Sequence, residues 1–185
     1  MIGVLPNQEI EKLVKIGVIS SDVPIESEQI QPASLDMRLG SKAFRIRASF
    51  LPGNREKVEE RLKSLQMHEI DLRGGAVLEK GCVYLVPLLE VLKLPTDIQA
   101  AANAKSSTGR LDLLTRTISD SGEEFDRISS GYSGKLYAEI CPRSFSVLVR
   151  TGMKLNQIRF RNKNTTLNDE SLKALHVKEK LVPGN

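Results

Sequence analysis

The run Arg127-Ile-Ser-Ser-Gly-Tyr-Ser-Gly-Lys-Leu-Tyr-Ala-Glu139-Ile carries most of what this chain says about its fold. Gly131 and Gly134 frame a tight turn, and a strand follows. Side chains alternate across a strand, so Leu136, Ala138 and Ile140 share one face and Lys135, Tyr137 and Glu139 the other. Segments of the same character recur at 43–50, 76–80, 82–86, 89–94, 98–102, 145–150 and 154–161. Each is short, bounded by Gly, Pro or Asp, and many contain β-branched or aromatic residues. Strands at this spacing without intervening helices predict a barrel or a jelly-roll-like sandwich.

Three amphipathic stretches flank these strands and read as covers. Asn7 is the expected N-cap of a first helix bearing Ile10, Leu13 and Val14, which Gly17 stops. A second is expected from Asn54, with Val58, Leu62 and Leu65 on one side. A third spans about 168–180, with Leu172 and Leu175 as its apolar stripe. The chain divides into one domain over 1–163 and a helical tail or connection over 164–185.

With 185 residues, 40% hydrophobic and 27% charged, the sequence excludes disorder, collagen and coiled coil. Its longest apolar run, Cys82 to Leu89, is far short of the roughly 18–20 residues a spanning helix needs. No secretion signal is visible at the N-terminus, so a cytoplasmic protein with no membrane partner is expected. Cys82 and Cys141 are expected to be reduced core residues. The net charge of +4 suits an anionic partner. Aromatics are only 4% and the cations are dispersed, which favours a small phosphorylated ligand over nucleic acid.

Ala104-Lys-Ser-Ser-Thr-Gly-Arg110 sets small hydroxyl residues and a glycine between two cations. Such a turn can aim backbone N–H groups at phosphate oxygens, or it can be a solvated basic turn. Glu139 has two readings as well. It is a surface carboxylate paired with Lys135, or a general acid/base if a pocket closes over it. Asp36 and Arg38, on one face of the 30–40 strand, read as a structural ion pair. Phosphate-binding glycine loops of the usual kinds are absent, and no H-x-E with P-C-x-x-C exists to hold a zinc-activated water.

Four stretches together resemble the deoxycytidine triphosphate deaminase branch of the deoxyuridine triphosphatase-like superfamily. They are Pro32 to Gly40, Ser106-Ser-Thr-Gly-Arg110 with Lys105 before it, Arg127 to Glu139, and Thr151 to Phe160, in that order. The resemblance implies a mainly β fold, a distorted barrel or jelly roll of the β-clip type with short flanking helices. It implies zinc-free hydrolysis of dCTP to dUTP and ammonia by a homotrimer or pseudo-trimeric assembly with sites between subunits. Glu139 would be the general acid/base, with Ser106 and Arg110 positioning water and glutamate, Arg110 across a subunit boundary. Lys105, Ser106 and Ser107 would hold phosphates. Arg127, Ser129, Tyr132 and Gln157 would complete the nucleotide site, Tyr132 packing on the deoxyribose and the backbone of Tyr137 and Ala138 meeting the base. Mg²⁺ would ride on the triphosphate, with no protein metal site.

Three departures stand out. Ser129 replaces an aspartate that the related triphosphatases need for their water, which disfavours the alternative of a nucleotide pyrophosphatase. Leu111 to Asp126 is longer than in the short deaminases. Residues 162–185 lack the usual closing segment and resemble the link after the first half of a two-repeat form, leaving a catalytically weak binding half as a further alternative.

Overall fold

The computed structural model describes residues 3–162 and 167–182. Helix α1 (Asn7–Lys15) leads through β1 (Ile19–Ser20) and a 3₁₀ turn to β2 (Ile30–Gln31), β3 (Ser34–Arg38) and β4 (Lys42–Ile46). Helix α2 (Val58–Leu65) precedes β5 (Gln66–Asp71), β6 (Ala76–Leu78), β7 (Val83–Lys93) and β8 (Ile98–Ala104). The one-turn helix α3 (Ser106–Gly109) opens onto β9 (Leu113–Ser119), β10 (Arg127–Ile128) and β11 (Ser133–Pro142). Then come β12 (Val147–Val149), β13 (Lys154–Asn162) and helix α4 (Asp169–Glu179).

The strands form two main antiparallel sheets, ordered β5-β4-β7-β11-β9, with β1 also on β7, and β10-β8-β13-β3-β2. Strands β6 and β12 pair separately. A bridge between Leu39 and Leu88 stitches the sheets together, giving a distorted, incompletely closed barrel of mainly β character, as expected. Alternate residues such as Leu35, Met37, Tyr84, Val86, Leu136, Ile140, Ile158 and Phe160 fill the space between them. A second, smaller core lies on the outer face of the larger sheet, where Val58 and Leu62 of α2 cover Ile46, Leu85, Ile118 and Tyr137.

The segments expected at 82–86 and 89–94 are one strand. Proline normally interrupts a central strand because it donates no ladder hydrogen bond. Here Pro87 turns its carbonyl to Gly40 N at 2.8 Å, and the neighbouring β11 slips register between Lys135 and Tyr137. A Cβ on Gly40 would lie 2.7 Å from that carbonyl oxygen, so the approach requires glycine.

Helix ends differ from expectation for local reasons. Pro6, extended at ψ 170°, takes the cap position, and Asn7 is the first helical residue. Helix α2 begins at Val58 rather than Asn54, because Asp120 Oδ1 accepts from Val58 N at 2.9 Å and Glu56 O accepts from Ser121 N at 3.2 Å. Asn168 caps α4 through Ser171 N at 2.8 Å, yet no residue of α4 is buried, and Leu172 is exposed. The boundary expected at 163/164 falls outside the described residues.

Asp36 and Arg38 do not pair with each other. Arg38 Nε meets Glu90 Oε1 at 2.8 Å, with side chains 4% and 1% exposed. Glu90 Oε2 accepts from Arg38 N at 2.8 Å and Oε1 from Gln29 Nε2 at 3.0 Å. The remaining guanidinium nitrogens reach the carbonyls of Val23 and Pro24, both at 2.9 Å. Every charge is therefore matched. Arg38→Ala, which strands Glu90, is expected to cost about 3–5 kcal/mol in urea unfolding. Arg73→Ala, removing a solvent-exposed pair, should leave the urea midpoint essentially where it is.

Candidate active site

Strand β11 lies between β7 and β9, and its alternation is as the sequence predicts. Leu136, Ala138 and Ile140 face the main core, while Lys135, Tyr137 and Glu139 face outward. That outer face is covered. Lys135 Nζ binds Glu59 Oε1 of α2 at 2.8 Å, and this bond holds the Glu59 carboxyl below its usual range. The Tyr137 hydroxyl donates to the same oxygen at 3.4 Å. Lys135 is thus committed to α2 and is not the partner of Glu139.

Glu139 is 2% exposed. Its register partner on β9 is Arg116, a residue the sequence reading passed over. Arg116 donates from Nε at 3.1 Å and from Nη2 at 2.5 Å, both to Glu139 Oε1. Nη2 also donates to Ser49 Oγ at 3.0 Å, and the guanidinium lies 3.8 Å from the ring centre of Phe125. Glu139 Oε2 is buried without a hydrogen-bond partner among the described residues. The available signal was a cation on an otherwise apolar strand face with Ile118, but only the register shows what it meets.

The Lys105–Arg110 turn is held from behind. Lys105 N donates to Leu155 O at 2.9 Å and Thr108 Oγ1 donates to the same carbonyl at 3.0 Å. The Lys105 ammonium pairs with the buried carboxylate of Asp36, so Lys105 is already engaged. Ser106, Ser107 and Arg110 face solvent, with Arg110 Nε 3.3 Å from Ser106 O. In a single chain, then, Glu139 is gripped by Arg116 while the serines and arginine of the turn point outward.

Arg127, Ser129 and Tyr132 line a cavity of about 430 Å³ with the turn at 119–124. An adjoining cavity of about 550 Å³ shares Asp120, Ser121, Gly131 and Tyr132 and reaches Tyr137. Glu139 lines neither. Tyr132 accepts from Asp120 N at 3.1 Å and donates to Lys135 O, and burial pushes its phenol well above the ordinary value. Arg127 is paired with Glu124 at 3.0 Å. Ala138 turns its methyl into the main core, and β7 and β9 both pair with the strand there. Gln157 stands on the other sheet opposite Asp36 and Asn103. Among the described residues no group of three or more His, Cys, Asp or Glu side chains could hold a metal ion.

Asp126 stands next to this site in a left-handed conformation at φ 62°. Burial pushes its carboxyl above the ordinary 3.8, against hydrogen bonds from Thr117, including Thr117 N at 2.7 Å, and the nearby Arg116 charge. The folded chain therefore keeps a proton that the unfolded chain has already released. That contribution to stability is present at low pH and declines as pH rises from 3.8 through the folded value. Asp126→Asn keeps an oxygen for Thr117 N and removes the titration. In urea unfolding at stepped pH, the unaltered chain should lose stability relative to the variant as pH is raised above 3.8. A pH-independent difference would contradict this.

Comparison with known proteins adds a consistent set of likenesses. The profile of the 2′-deoxycytidine 5′-triphosphate deaminase N-terminal domain matches residues 1–164. The crystal structure of 2′-deoxycytidine 5′-triphosphate deaminase from Agrobacterium tumefaciens superposes with a TM-score of 0.90 and 51% identity, over 99% of this chain. This chain spans only 55% of that one. A dCTP deaminase of Haemophilus influenzae is 32% identical over 143 residues, covering 73% of this chain and 70% of the relative. A dUMP-forming dCTP deaminase of Beutenbergia cavernae is 27% identical over 157 residues, 84% of this chain and 78% of the relative.

Proposed function

The chain belongs to the 2′-deoxycytidine 5′-triphosphate deaminase N-terminal-domain family, and from that premise we propose that it hydrolyses dCTP to dUTP and ammonia. The reaction needs a group that takes a proton from water as its oxygen adds to cytosine C4. The same group must hand that proton to ring N3, then take the hydroxyl proton of the C4 adduct and give it to the departing amine. As the C4–N4 bond breaks, ammonia leaves and the C4 carbonyl forms. Glu139 is assigned this role. The observation that carries the assignment is its buried carboxylate, with Oε1 held by Arg116 and Oε2 left unpartnered.

The exposed Ser106, Ser107 and Arg110 suit a site completed by a neighbouring copy or repeat, as a homotrimer or pseudo-trimer would provide. Leu111 and Leu114, exposed beside the same turn, supply apolar surface for such a contact. Ser106 and Arg110 would then orient water against a neighbour's Glu139, while Lys105 and Ser107 meet phosphates. Tyr132 would pack against deoxyribose from the cavity it lines with Arg127 and Ser129. Magnesium carried on the triphosphate would neutralise its charge, and Glu139 rather than zinc would activate the water. Gln157 and the Tyr137–Ala138 backbone stay in the proposed nucleotide site as lesser contributors.

A second reading, release of dUMP, is favoured by the dUMP-forming relative and opposed by Ser129. Incubation with dCTP and Mg²⁺, with ammonia assayed and nucleotides resolved by chromatography, separates the two. Glu139→Gln is expected to keep dCTP affinity within about threefold while lowering turnover by about 100-fold or more. Normal turnover in that variant would remove Glu139 from the reaction. Binding of dCTP without ammonia from the unaltered chain would leave a nucleotide-binding half.

A further inference from the structure

We propose that Arg116 is a positioning residue for catalysis, holding Glu139 so that one chosen oxygen meets the substrate water; this rests on the deaminase reading of Glu139.

The geometry of the pair is the argument. When an arginine and a carboxylate exist only to neutralise each other, the favoured arrangement is a fork on a fork, two parallel bonds to two different oxygens. Arg116 does something else. Nε at 3.1 Å and Nη2 at 2.5 Å both fall on Oε1, and Oε2 is left bare in a buried position. A buried acceptor without a partner is costly, so stability alone gives no reason for leaving it.

The guanidinium is itself fixed from three sides. Its strand position is set by the Arg116–Glu139 register between β9 and β11. The Ser49 hydroxyl takes Nη2 at 3.0 Å, and the Phe125 ring provides a shelf 3.8 Å away. Ser49 lies in the 47–57 loop, which is clamped by Gly53 N to Gly122 O at 3.1 Å. Phe125 and Gly122, which receives that clamp, both belong to the 111–126 stretch, so this stretch builds the frame that aims Arg116.

Positioning and bulk structure separate in kinetics. In the full chain, Arg116→Ala should lower kcat for ammonia release about 100-fold, the scale of a misplaced catalytic group, while KM for dCTP moves less than about threefold. Guanidinium ion at low millimolar concentration should restore part of that kcat, because Arg116 is partly exposed and leaves an accessible slot. Phe125→Leu, which removes only the shelf, should lower kcat in the same sense with KM unchanged. Should Arg116→Ala not fold, Phe125→Leu carries the test. An unchanged kcat, a rise in KM alone, or a loss that guanidinium leaves untouched would overturn the proposal.

Failure of the deaminase reading looks different, since the unaltered chain would then release no ammonia. In that case the ¹³C carboxyl shift of Glu139 still decides whether Arg116 holds it. A shift that moves in Arg116→Ala supports the grip, and one that does not move refutes it.

Discussion

The buried pair of Arg38 and Glu90 joins the parts of this molecule that hydrophobic contact alone would leave adjustable. Arg38 ends β3 in the smaller sheet and Glu90 lies in β7 of the larger one. Their contact, with Gln29 and the carbonyls of residues 23 and 24, fixes the two sheets and the 21–31 crossing in one relative position. Apolar packing is non-directional and tolerates sliding, whereas a desolvated, fully matched ion pair has one acceptable geometry. The outer face of the larger sheet, where Glu139 lies, inherits its placement from that geometry.

On that face β11 does two jobs with alternate residues. One set seals the main core, and the other carries Lys135, Tyr137 and Glu139 to a covered outer surface. Helix α2 handles the first two through Glu59, and β9 handles the third through Arg116. The residue that grips Glu139 thus comes from a separate strand that precedes β11 in the sequence. Ser106 and Arg110 stand outside this arrangement, which is why a neighbouring copy or repeat enters the functional reading.

Local pattern made much of this legible in the sequence. The glycines of the 127–140 turn, the alternation on β11 and the short amphipathic covers are properties of neighbouring residues, and they gave a mainly β chain with Glu139 on a defined face. Pairing across strands is not local. The importance of Arg116 comes from standing opposite Glu139, and a register cannot be read from either strand alone. Asp36 and Arg38 looked like partners for the same reason. Each finds its true partner, Lys105 or Glu90, tens of residues away. Pro87 reads as a break because the glycine that accommodates its carbonyl, Gly40, lies between β3 and β4, far from it in the sequence.

The division of apolar contacts into two separate cores bears on how the molecule moves. Helix α2 rests on a small cluster of its own, with Val58 and Leu62 as its buried anchors. Local opening free energies follow the number of buried contacts a segment must give up. Amide exchange in α2 should therefore proceed without the barrel unfolding, while the amides of β7 and β11 report the global event. The helix over Lys135 and Tyr137 is a separate cooperative unit, able to lift and reseat while the wall bearing Glu139 stays in place.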